Sequence, residues 1–122
     1  MSEEISRLPP HIQQRLLRLQ QLQQSLQGVI AQKQQLEMQL NEVEHAEDEL
    51  EKMKATVVIY KSIGALLIKS KKEKVIEELS ERKELLKMRV NVLGKQEERL
   101  RTQVKELQEK LQQDLRPISG SS

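Results

Sequence analysis

Side chains able to do covalent chemistry are sparse in this 122-residue sequence. It has no cysteine, so it offers neither a thiol nucleophile nor a disulfide framework. Its two histidines, His11 and His45, each stand alone, without a partner at metal-ligand spacing. No glycine-rich phosphate loop occurs. Gly64 is the one local glycine signal, and it sits between two short aliphatic runs. Carboxylates are plentiful, with 19 Asp and Glu against 21 Lys and Arg, but they are spread along the chain as on solvated helix faces. This inventory argues against an enzyme, a cofactor and a metal. The formal charge of +2 is too balanced to indicate nucleic acid as a partner. What remains is non-covalent chemistry: apolar contact and ion pairing, directed at other proteins.

The densest apolar stretch runs from Val57 to Ser70. It holds Val57, Val58, Ile59 and Tyr60, then Gly64, then Leu66, Leu67 and Ile68. β-Branched residues favour strands, and Gly64 can take the positive φ of a tight connection. A β-hairpin is expected over 57–69, with Ile63-Gly64 as a two-residue loop. That register sets Tyr60 opposite Leu67 and Ile59 opposite Ile68. One face then carries Val58, Tyr60 and Leu67, and the other carries Val57, Ile59, Leu66 and Ile68. A lone hairpin cannot bury two apolar faces. One face can lie on the chain's own helices, while the other calls for a partner, which makes this an assembly element. The plainer alternative is a local turn capping two helices.

Two long helices must position this insert. From His11 to about Lys54 a heptad frame places Ile12, Leu19, Leu26, Lys33, Leu40 and Glu47 at a. It places Leu22, Val29, Leu36, Val43 and Leu50 at d, with Arg15 as the exception. A second frame, over 71–115, puts Ile76, Lys83, Val90, Glu97, Val104 and Leu111 at a, and Leu79, Leu86, Leu93, Leu100 and Leu107 at d. Ser70 is expected to cap this helix in a box with Glu73, and Pro117 to stop it. Each helix would be roughly 65 Å long. Equal lengths across a short insert predict an all-α-dominated fold, a long antiparallel coiled-coil hairpin with one β-hairpin between the helices. The core charges are placed complementarily: Lys33 and Glu97, and likewise Glu47 and Lys83, lie at similar distances from the middle of the insert and so fall within about one layer of each other. Charged a positions cost stability but can fix register, so these four are candidate register residues; simple tolerance of charge at the seam is the alternative.

The remaining residues speak to partners. Phe and Trp are absent and Tyr60 is the only aromatic residue, so no large globular core is available. The first helix is rich in uncharged glutamine. Residues 1–10 and 116–122 are expected to be flexible ends, with Pro9-Pro10 marking the first boundary. Ile5, Leu8, Ile12, Leu16 and Leu17 make the N-terminal end more apolar than a two-helix seam requires. No apolar run approaches the 18 residues of a membrane span, and no signal-peptide core is present, so a soluble cytoplasmic protein is expected and a membrane partner is not. Two functions fit. One is a holder of non-native chains, with a β assembly base and coils that grip clients at their ends. The other is a structural coiled-coil scaffold or tether joining folded partners.

Taken together, the residues carry a family resemblance. Pro9-Pro10 leading into a Gln-rich coil, the run Val58-Ile59-Tyr60-Lys61-Ser62-Ile63-Gly64-Ala65-Leu66-Leu67-Ile68-Lys69, the basic start of the second helix, and the Leu-rich coil ending at Leu115-Arg116-Pro117 resemble the beta-type subunits of archaeal prefoldin. The resemblance spans nearly the whole chain. The hairpin run is its specific part, because any coiled coil supplies heptads. A single hairpin fits the beta type, since the family's alpha type carries two. The resemblance implies a hexamer of two alpha-type and four beta-type subunits, built from an alpha-type partner and further copies of this chain. Its hairpins would form a central platform. It implies ATP-independent holding of unfolded proteins and their delivery to a group II chaperonin in the cytosol. Carried onto this chain, it makes Val57, Val58, Ile59, Tyr60, Gly64, Leu66, Leu67 and Ile68 oligomerisation residues. It makes Ile5, Leu8, Ile12, Leu16, Leu111, Leu115 and Ile118 the client-binding tips.

Overall fold

The computed structural model describes residues 7–119, with side chains placed from 7 to 116. The elements are helix α1 (Pro10–Glu51), strand β1 (Ile59–Ile63), strand β2 (Leu66–Ser70) and helix α2 (Lys72–Ser119). This is the all-α-dominated coiled-coil fold with one small β-hairpin that the heptads and the aliphatic insert predict. Two compact units divide it: residues 1–32 with 93–122, and residues 33–92. The first is the tip unit and the second the hairpin unit.

In the tip unit an α1 segment packs antiparallel on an α2 segment. Ile12, Leu22, Val104 and Leu111 are its buried core. Arg15, the polar exception at d, forms an ion pair with Asp114, which occupies d one heptad beyond Leu107. In the hairpin unit Val43, Leu50 and Leu86 are buried. No a or d position of the two predicted frames is exposed in either unit, as a two-helix seam requires.

Several boundaries differ from the sequence expectation. α1 ends at Glu51, three residues before Lys54. There the Met53 amide donates to the Leu50 carbonyl at 3.1 Å, a tightened closing turn that hands over to the β-branched Thr56-Val57-Val58. Ser70 does not cap α2. It is the last residue of β2, and the Lys71 carbonyl accepts the first intrahelical bond, from the Val75 amide at 3.1 Å. The N-cap position therefore falls on Lys71, one residue beyond the serine. Pro117 does not stop α2, whose backbone stays helical to Ser119. Proline there removes a single donor, and a last turn tolerates that better than a helix interior does. Of the expected flexible ends, residues 1–6 and 120–122 lie outside the described residues, whereas Pro10 and 116–119 are helical.

Candidate functional site

The hairpin pairs Ile59 with Ser70, Tyr60 with Lys69, Lys61 with Ile68, Ser62 with Leu67, and Ile63 with Leu66. The loop is therefore Gly64-Ala65, one residue later than the Ile63-Gly64 loop expected from the sequence. Gly64 has φ 57°, and no non-glycine residue has positive φ. A positive φ at the first central position alone is the pattern of a type II′ turn, so glycine must stand first in the loop, not second. Moving the loop by one residue shifts the pairing by two, which exchanges partners but leaves every side chain on its face. Tyr60 thus meets Lys69 rather than Leu67, and the two faces keep the composition read from the sequence.

The two faces have different surroundings. Ile59, Lys61 and Ser70 share one face and are half-buried. Lys61 Nζ donates to Glu78 Oε2 of α2 at 2.5 Å, which ties that face to the first turns of α2. This hydrogen bond, with the attraction of Lys61 and Lys74, holds the Glu78 carboxyl below its ordinary value. The opposite face is open: Tyr60 is 62 % exposed and Leu67 71 %. Near the turn Ile63, Leu66 and Ile68 are exposed as well, as are Val57 and Val58 ahead of β1. Both strands have an outer edge with no neighbour in this two-stranded sheet. The charge pair is the feature that sequence reading missed. Only the faces, once fixed, identify Lys61 as the cation turned towards α2.

At the seam of the same unit, Lys83 Nζ donates to Glu47 Oε2 at 3.1 Å. The bond and the charge of Glu47 raise the Lys83 pKa. Glu47 is the less exposed partner, and its Oε1 is buried without a hydrogen-bond partner among the described residues. In the tip unit Glu97 accepts from Arg101 Nε at 2.9 Å along its own helix.

The tip residues separate by depth. Ile12 and Leu111, expected on the client surface, are instead 2 % and 5 % exposed and fill the seam. Both are a residues, and an a residue points at its partner helix. Leu16 and Leu115 are half-buried, and both stand at e, on one edge of the seam. Leu8 is half-buried, its carbonyl accepting from Gln13 Nε2 at 2.6 Å, and Leu17, at outward f, is exposed. Ile5 and the side chain of Ile118 lie outside the described residues. Sequence reading also passed over an outward strip in the hairpin unit. Leu85, Met88 and Val92 occupy c, f and c, where they are 50–66 % exposed, and Met38 at f of α1 is exposed too. Their positions in the heptad frame were the available signal. Among the described residues no group of three or more His, Cys, Asp or Glu could hold a metal ion, and no helix is long and apolar enough to cross a membrane.

Comparison with known proteins places this architecture. A family model described as prefoldin subunit matches residues 13–117. A prefoldin subunit beta of Archaeoglobus fulgidus is 47 % identical over 113 residues, covering 93 % of this chain and 97 % of the relative. That of Pyrococcus furiosus is 44 % identical over 110 residues, covering 90 % and 94 %. The crystal structure of the prefoldin beta subunit from Thermococcus strain KS-1 superposes with a TM-score of 0.84 at 41 % identity, covering 89 % of this chain and 96 % of that one. The beta2 subunit from the same strain gives 0.69 at 26 % identity, covering 75 % and 97 %.

Proposed function

This chain belongs to the prefoldin family as a beta-type chaperone subunit, and from that premise we propose that it assembles through its β-hairpin and holds unfolded proteins at the far ends of its coils. The proposed assembly is a hexamer with two alpha-type subunits and four copies of this chain, working without ATP in the cytosol and delivering its clients to a group II chaperonin. The observation that carries the reading is where apolar surface is left open. Tyr60 and Leu67 lie bare on one hairpin face, and Leu8, Leu16, Leu17 and Leu115 are exposed or half-buried at the tip. Hydrophobic side chains on a strand with free edges call for further strands. Hydrophobic side chains beyond a two-helix seam serve weak contacts with many sequences, and several weak tips linked through one base gain avidity. Weak individual contacts also permit hand-over to a second chaperone.

A second reading has an observation of its own. The outward strip Leu85, Met88 and Val92 would let clients lie along the coils rather than at their ends. The test separates the two. Assembled protein carrying Leu16→Ser and Leu115→Ser is compared with protein carrying Leu85→Ser and Met88→Ser in suppressing aggregation of a chemically denatured enzyme, followed by light scattering without ATP. Loss of protection in the first variant alone supports the tips, and loss in the second alone supports the coil faces. A scaffold or tether would show no protection in the unaltered protein.

A further inference from the structure

One edge of the tip seam departs from the charge pairing that coiled coils use there. Arg18, Gln103 and Lys110 all stand at g, so they fall on the same edge of the antiparallel pair, opposite the e edge that carries Leu16 and Leu115. Along the g edge lies an open cleft of about 290 Å³ lined by Arg18, Leu22, Gln103, Glu106, Leu107 and Lys110. Its apolar part is the seam pair Leu22 and Leu107, and its rim holds two cations and one carboxylate. Flanking positions of a coiled coil ordinarily carry opposite charges across the seam. Here Arg18 and Lys110 share a cleft, and neither has an ion-pair partner among the described residues. α1 supplies no compensation, because it contains no Asp or Glu from Pro10 to Leu36. The one other α1 arginine of this unit, Arg15, is already engaged by Asp114. Two cations against the single carboxylate of Glu106, with no ion pair formed among the described residues, leave this seam edge with an excess of positive charge, and a local departure of that kind marks a place where a ligand supplies the missing charge.

Resting on the tip-holding reading above, we infer that this cleft is a specificity-determining part of the tip: it takes an apolar side chain of an extended, unfolded polypeptide whose neighbouring residues are Asp or Glu. The apolar group lies over Leu22 and Leu107, and the flanking carboxylates meet the Arg18 guanidinium and the Lys110 ammonium. The e edge, with Leu16 and Leu115, grips without regard to charge. The g edge sorts clients by it, and because these charges are exposed, the sorting weakens with salt.

The test uses the full-length assembled protein and two fluorescein-labelled disordered peptides. The peptides share identical leucine positions, flanked by Glu in one and by Lys in the other. Fluorescence anisotropy at low ionic strength should give about fivefold tighter binding of the Glu peptide, the worth of two screened surface ion pairs. That preference should shrink towards unity in 0.5 M salt, a concentration at which the Debye length is only about 4 Å. Arg18→Glu with Lys110→Glu should invert it. Both residues are exposed, so helicity should be unaffected by the change. Equal binding of the two peptides by the unaltered protein, or a preference that survives the charge reversal, would overturn the inference. The tip reading fails separately, if Leu16→Ser with Leu115→Ser leaves the affinity for both peptides unchanged.

Discussion

Replacing Tyr60 and Leu67 by serine should weaken assembly while leaving the isolated chain as folded as before. Both side chains lie on the open hairpin face, 62 % and 71 % exposed, so removing them takes little from the chain's own packing. Full burial of a large apolar side chain contributes about 1.5–3 kcal/mol. About two-thirds of each remains to be buried on assembly, which gives about 1–2 kcal/mol per residue. The pair therefore carries about 2–4 kcal/mol per interface, a factor of about 30–1,000 in association. Sedimentation equilibrium across a concentration series reads this directly, and far-UV circular dichroism checks that helix content is kept. The reasoning is refuted if the variant assembles with an unchanged dissociation constant. It is also refuted if assembly and helicity fall together, because the face would then be serving the chain's own fold. Ile59 is a poorer probe for this purpose: it shares the half-buried face with Lys61, so its replacement would mix assembly with internal packing.

Four further outcomes follow from named contacts. Lys83 has a raised pKa in the folded chain, so its bond to Glu47 stabilises fully below the ordinary lysine value of 10.5 and is lost as pH rises through the raised value; thermal unfolding should show this alkaline loss in the unaltered chain and not in Lys83→Met. Glu78 has a lowered pKa, so its contribution is present above the ordinary 4.5 and disappears as pH falls through the lowered value; Glu78→Gln should flatten that acid limb in the same measurement. Leu86→Ala empties a d position that is 3 % exposed and should cost about 2–5 kcal/mol in chemical denaturation. Gly28→Ala places a methyl group where nothing lies within 4 Å, and should raise stability by about 1 kcal/mol, seen as a higher Tm.

The seam was legible from sequence because its signal repeats. Each heptad restates the same constraint, so the a and d frames survive the polar residues within them, and Glu47 and Lys83 meet as their spacing indicates. The hairpin faces were legible for a related reason, since a two-residue shift in pairing preserves them. Features set by a single residue were not. The loop position depended on whether Gly64 stands first or second in the turn, and glycine is permitted in both. The Ser70 cap failed because the helix starts one residue later, with Lys71 accepting its first bond. Pro117 was read as a stop, although near a helix end it removes one bond only. For the residues proposed to meet clients, composition could not rank depth. The heptad frame did carry that signal: Ile12 stands at a and is buried in the seam, whereas Leu16 stands at e and stays on its edge. The Arg15–Asp114 pair needed the second frame carried one heptad further, where Asp114 explains the arginine at d.

The central claim is that clients are held at the coil ends and not at the hairpin or along the coils. Site-specific photo-crosslinking tests it most directly. A photoreactive phenylalanine analogue is placed singly at Leu17, Met88 and Leu67, three exposed positions at the tip, the outward coil face and the hairpin. Each assembled variant is irradiated with a denatured fluorescent client. The account predicts client adducts from position 17, few or none from 88, and adducts to neighbouring subunits instead of client from 67. Client adducts mainly from 88 or 67, with none from 17, would contradict it.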